Sequence, residues 1–357
     1  MHPTDIAHTR LYNQRLAGDP LGTPVDVVRW LGAVQSQDYG PAKWSLGERS
    51  RGAMDADVDR AMAEGAILRT HMLRPTWHFV LPADIRWMQE LTAPRVHAQN
   101  AYYYRQTGLE DGKRNRARRL LTDALRGGNY LTRGELQRVL EREGIAAKGL
   151  GMAYILMDAE LDCVICSGPL KGRQHTYALF EERVPDAPTR TRDEALEELV
   201  VRYFTSRGPA TARDLRFWCS LPLADIQRGL EIADSRLEQR EIEGRSFWAA
   251  AWEPRPPMAS PRVHLLQGLD EYFVGYGESR GFCDESGVRP SLVDRAIYNG
   301  ALLLDSQLAG HWKRTVTKRA VTFQVALRTD FDDAQMQALH AAADRHGEFL
   351  GMPAAVQ

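Results

Sequence analysis

One pattern recurs three times along this chain: a threonine, two variable residues, an acidic residue and an aliphatic one. The copies are Thr23-Pro-Val-Asp-Val27, Thr132-Arg-Gly-Glu-Leu136 and Thr211-Ala-Arg-Asp-Leu215. In each, the threonine hydroxyl can accept an otherwise orphaned N–H of a helix's first turn. The acidic side chain can reach back to the cap and meet the positive end of the helix dipole. Pro24 suits the first helical position of the first copy. A helical stretch precedes each copy (Ile6–Leu16, Arg116–Arg126, Asp193–Thr205), and further helical pattern follows. Each then reaches two β-like runs around polar or glycine residues: Ile67–Leu73 with Thr76–Leu81, Cys163–Ser167 with His175–Phe180, and Leu237–Ile242 with Ser246–Ala250. Helix, capped helix, helix and hairpin is the plan of a winged helix.

After Arg255-Pro-Pro257 the pattern changes to strand-like runs, Val263–Leu266, Ala301–Leu304, Leu308–Trp312 and Val321–Leu327, with turn residues such as Asn299-Gly300. Phe331–Phe349 reads as a closing amphipathic helix. The expected fold is therefore α+β: winged-helix segments at 1–108, 109–185 and 186–256, then a mainly β domain at 257–357. A length of 357 residues suits several small domains rather than one core.

Composition excludes several classes. With 43% apolar and 26% charged residues the chain reads as a globular, cytoplasmic protein, and no charged start followed by an apolar run marks a signal peptide. Apolar runs such as Ala301–Leu304 are far too short to span a bilayer. Cys163-Val-Ile-Cys166 has metal-knuckle spacing, but no second pair of ligands matches it; the segment reads as a strand with the two thiols on opposite faces. Neither metal nor cofactor is expected. A net charge of −1 decides nothing about nucleic acid, whereas its distribution does: Lys113–Arg119 holds five basic residues in seven positions, and Lys313-Arg314 with Lys318-Arg319 forms a second cluster.

Four passages resemble the AlkZ/YcaQ family of bacterial winged-helix DNA glycosylases: Ala33–Tyr39 followed by Ala42–Gly47, Arg69–Leu81, Gln174–Leu179 and Leu265–Gly275. The resemblance implies a hydrolase without cofactor that acts on alkylated or crosslinked duplex DNA, working as a monomer with no protein partner and no membrane. It also implies that Gln35 and Gln37 match the family's Gln-Φ-Gln motif (Φ apolar), which holds the hydrolytic water. Ser36 departs from the apolar middle position.

Geometry constrains that motif. Residues two apart on a helix point about 200° apart, whereas in an extended segment they share a side. The helix after Thr23 should thus end near Gln35, with Gln35–Gln37 extended before Gly40-Pro41. The bland alternative is that both amides merely satisfy backbone groups in a turn. Asp38 is the third catalytic candidate, and a helix cap is its competing role. His78 in the first hairpin is a fourth, set against simple packing. Arg69, Arg74, Arg118, Arg119, Lys313 and Arg314 are the expected phosphate contacts, which position a duplex without reading its sequence. The rival function is a non-catalytic winged-helix DNA-binding protein, either a regulator or a sequestering resistance factor.

Overall fold

The computed structural model describes residues 3–252, 255–256, 259–284 and 300–357; Pro257 and Asn299 of the sequence argument lie outside them. The chain forms two compact units. One comprises Met1–Val58, Glu197–Trp218 and Pro222–Gln357, the other Asp59–Leu196 with Cys219–Leu221. Both differ from the four sequence segments, because each unit gathers pieces distant in the chain.

In the first unit, the Asp26 N–H donates to Thr23 Oγ1 (3.2 Å), which starts the helix Pro24–Leu31. Val27, Val28 and Leu31 face the core, and Gly32 ends the helix at φ 77°, a conformation a side chain would resist. The short strand Ala33–Gln35 follows, then a bend at Gln37-Asp38 and the helix Tyr39–Gly47. Thr211 and Asp214 cap each other reciprocally (3.1 and 2.9 Å) at the helix Ala212–Cys219. The strands Glu238–Ile242 and Arg245–Ala249 pair antiparallel as the expected hairpin.

A five-stranded sheet closes this unit, in the order Ala354–Val356, Val321–Leu327, Gln307–Val316, Gly300–Leu304, Val263–Leu266. Neighbours run antiparallel except for Ala354–Val356, which lies parallel to Val321–Phe323 and was not visible in the sequence pattern. The strand expected at Leu308–Trp312 runs on to Val316, so Lys313 and Arg314 are strand residues. The helix Asp333–Leu350 opens on an Asp332/Gln335 capping box and packs Leu339, Ala342 and Ala343 against Val263, Leu265 and Phe323.

Within that core His346 lies flat on Trp44 (ring centroids 4.1 Å apart) and accepts from Arg314 Nη1 (2.6 Å). Burial and the Arg314 charge push its pKa well below the ordinary value. Burial likewise pushes His264 down, against the upward pull of Glu48 (2.7 Å). A histidine with a depressed folded pKa contributes stability that is present above the unfolded pKa of about 6.5 and is lost as pH falls below it. Urea unfolding should show stability declining from pH 7 to pH 5. His346→Gln, which retains an acceptor for Arg314, should flatten that decline.

The second unit holds the long helix Pro82–Gln106, the hairpin Leu68–Met72 with Thr76–Val80, and the second capped series. Here Thr132 and Glu135 make a full capping box, and Lys171 with Thr132 holds the Glu135 carboxyl down at about 2. The helices Asp111–Leu125, Arg133–Arg142 and Gly149–Leu161 enclose a core of Leu121, Leu136, Leu140 and Ile155, and the strands Ile165–Ser167 and Thr176–Leu179 follow. One expectation fails locally. Cys163 is not a strand residue but sits in the turn after the helix at φ 52°, so the opposite-faces argument does not apply to it. Burial pushes its thiol up to about 12 and that of Cys166 higher still.

Candidate active site

Gln35 ends a strand, Ser36 follows it, and Gln37 lies on the bend before the next helix, so of the two amides only Gln35 sits in strand. Gln35 and Ser36 are buried, Ser36 completely, whereas Gln37 and Asp38 are exposed. A serine in the apolar position is thus enclosed as an apolar residue would be. Asp38 stands at the N-cap of the helix Tyr39–Gly47, yet its side chain makes no cap hydrogen bond. Its carboxylate instead borders a cleft of about 450 Å³, lined also by Gln267, Leu269, Trp312, Lys313 and Arg314.

The cleft wall is built tightly. Trp312 Nε1 donates to the carbonyls of Leu266 (2.9 Å) and Ala301 (3.1 Å), which fixes the indole. A Cβ on Gly300 would fall 2.0 Å from that ring, so only glycine admits the tryptophan there. Gln267 Oε1 accepts from the Leu269 N–H (3.2 Å), and its Nε2 is buried without a partner among the described residues. Arg314 is half-buried, its pKa lowered by burial, and its bond to His346 anchors it. Lys313 beside it is exposed. The wall thus offers two cations, one carboxylate and a neutral amide.

The strand carrying Gln35 is held from behind. The Gln35 N–H donates to Glu271 Oε1 (2.8 Å). Glu271 Oε2 accepts from Arg207 Nη2 (2.7 Å) and from Trp218 Nε1 (3.0 Å). Arg207 also donates to the carbonyls of Leu31 (2.8 Å) and Ala33 (3.0 Å). Next to Glu271, Asp270 takes a two-pronged grip from Arg49 (2.6 and 2.9 Å) and a bond from Ser45 Oγ (2.6 Å). Sequence reasoning did not assign Arg49, Arg207, Gln267, Asp270 or Glu271. A signal was present: Gln267, Asp270 and Glu271 interrupt the otherwise apolar run Leu265–Val274, and polar residues in such a run need buried partners.

The other site candidates belong to the second unit. His78 is fully buried on the strand Thr76–Val80, its Nδ1 donating to the Thr76 carbonyl (3.0 Å). Arg69 is buried with its guanidinium 4.2 Å from the centre of the Trp77 ring. Arg118 grips the buried Asp158 (2.7 and 2.9 Å) and also pairs with Asp162. Arg74 is half-buried in the hairpin turn, and Arg119 is exposed on its helix.

Of the first-unit candidates, Asp38, Lys313 and Arg314 meet on one cleft, whereas neither Gln35 nor Gln37 is among the residues that line it. The chain belongs to the AlkZ-like DNA glycosylase family, which it matches over residues 28–349. It is 24% identical to an interstrand DNA cross-link repair glycosylase of Streptomyces sahachiroi, with 89% of each chain covered. The solved structure of the Streptomyces sahachiroi DNA glycosylase AlkZ superposes with a TM-score of 0.81 over the whole of both chains at 20% identity, so the fold is shared.

Proposed function

We propose that this glycosylase hydrolyses the N-glycosidic bond of cationic alkylated purines in duplex DNA, unhooking interstrand crosslinks among them, with water oriented by Gln35 and Gln37. The supporting observation is that the Gln35–Gln37 segment leaves its strand at Gln35 and runs directly into Asp38, which lines a cleft with Lys313 and Arg314. The similarity to a crosslink-repair glycosylase supports the wider substrate range.

The chemistry suits weak catalysts. Alkylation at a ring nitrogen makes the base a cation, so it leaves with the bonding pair and becomes neutral without a general acid. The sugar then carries oxocarbenium character, and water adds at its anomeric carbon and gives up a proton to solvent. The protein's tasks are to place that water and to tolerate positive charge. Amide oxygen accepts from a water and amide N–H₂ donates to it, so two glutamines can fix its orientation. Asp38 at the cleft edge supplies a negative charge towards the developing cation. A crosslinked base is tethered to both strands, so an open groove serves it better than a deep pocket that demands full base flipping.

The test is direct: duplex DNA carrying N7-methylguanine is incubated with the protein, and free base is measured. Tight binding without release of any base would replace the enzyme by a sequestering binder.

Phosphate contacts separate by the same logic. Arg119 and Lys313 are exposed, whereas Arg118 is committed to Asp158. Arg119→Ala should shallow the dependence of log affinity on log salt by about one, uniformly across sequences. Arg118→Ala should instead lower the thermal midpoint, because it strips a partner from a buried carboxylate. An unchanged slope for Arg119→Ala would mark that helix face as merely solvated.

A further inference from the structure

We propose that Glu271 and Arg207 are positioning residues for catalysis: together they clamp the backbone that presents Gln35 and Gln37. The inference rests on the water-holding role of that pair. Both side chains are fully buried, yet neither points its charge at the cleft lining. Besides Trp218 and Ser206, their polar atoms serve one stretch of chain. Arg207 binds the carbonyls of Leu31 and Ala33, and Glu271 binds the N–H of Gln35. Three backbone groups within five residues are therefore gripped by two side chains that also grip each other (2.7 and 3.1 Å).

The arrangement is costly unless geometry is what it secures. Removing two charges from water is expensive, and a well-packed apolar pair often does as well for stability alone. The short strand Ala33–Gln35 leaves its helix through Gly32, and the register at which it does so sets where Gln35 stands. An ion pair with backbone partners on both sides sets that register to a fraction of an ångström. Trp218 adds a third donor to Glu271, and the Arg207 guanidinium lies 4.4 Å from the Trp218 ring, so the clamp cannot pivot freely. Misplacing a reacting group by about 1 Å can cost on the order of 10² in rate. Glu271 and Arg207 therefore act on the reaction through Gln35, with no substrate contact of their own.

The deciding variant removes both charges at once, Arg207→Met with Glu271→Gln, so that no lone ion is left buried. Three readouts are compared with wild type: single-turnover release of 7-methylguanine, affinity for the same duplex, and hydrogen exchange of the amides at 33–37. Release should slow by about 10- to 100-fold while affinity stays within about twofold, and the 33–37 amides should exchange faster. Unchanged exchange, or release at the wild-type rate, overturns the clamp. So does a parallel fall of release and affinity, which would signal general damage. If the pair variant does not fold, Glu271→Gln alone carries the same test. Its single amide oxygen cannot serve both the Gln35 N–H and the Arg207 and Trp218 donors. Should wild type itself release no base, the glycosidic reading fails, and the exchange comparison still judges the clamp.

Discussion

Gln37→Ala is expected to lower single-turnover release of a cationic alkylated base by on the order of 10² to 10³, with duplex affinity nearly unchanged. A residue that only orients water contributes in the transition state and little in the ground state, so rate and affinity should separate. The exposed position of Gln37 makes it the cleaner variant, since its loss leaves no hole in a core. Gln35→Ala touches a buried position and mixes chemistry with packing. Gln37→Asp should be milder than Gln37→Ala, because a carboxylate also holds water and adds negative charge towards the sugar cation. Full activity in Gln37→Ala would place the catalytic role elsewhere, with Asp38 on the cleft wall and His78 the next positions to test.

The three threonine caps were legible because capping is local: hydroxyl, acid and backbone lie within four residues, and the structure forms the bond at Thr23, Thr132 and Thr211. The hairpins were legible for the same reason, with two short β-like runs around polar or glycine residues. Helix geometry put the end of the helix after Thr23 near Gln35, and it ends at Leu31. What sequence could not supply was the partner of each charge. Arg118 and Arg119 are adjacent in one basic run, yet one grips Asp158, 40 positions on, and the other meets solvent. Arg69, offered as a phosphate contact, also lies against Trp77, a neighbour eight positions away. Glu271 reaches Gln35 from 236 residues away, and no local pattern announces such a bond. The parallel strand Ala354–Val356 was hidden likewise, since its three residues become a strand only by pairing with Val321–Phe323.

The largest stability effect should come from a position that touches no DNA. Arg49 and Asp270 are both fully buried and joined by two hydrogen bonds, of 2.6 and 2.9 Å. Ser45 and the Tyr272 N–H satisfy further lone pairs of the carboxylate, and Arg49 also donates to the carbonyls of Gln14 and Ser45. Burial opposes the Asp270 charge, but the attraction and hydrogen bonds of Arg49 outweigh it and hold the carboxyl below its ordinary range. Arg49→Met would leave a lone carboxylate in the core and should cost about 3–5 kcal/mol, a large share of the roughly 5–15 kcal/mol that folded domains possess. A depressed carboxyl pKa stabilises the fold above the unfolded value of about 3.9, and that contribution is lost as pH falls through the folded value. Arg49→Met should therefore unfold at lower urea near neutral pH and lose less on further acidification than wild type does. Adding Asp270→Asn, which discharges the carboxylate while keeping an acceptor for Ser45 and Tyr272, should recover much of the midpoint. If Arg49→Met alone unfolds as wild type does, Asp270 is carried by its other hydrogen bonds, and the ion pair contributes little to the fold.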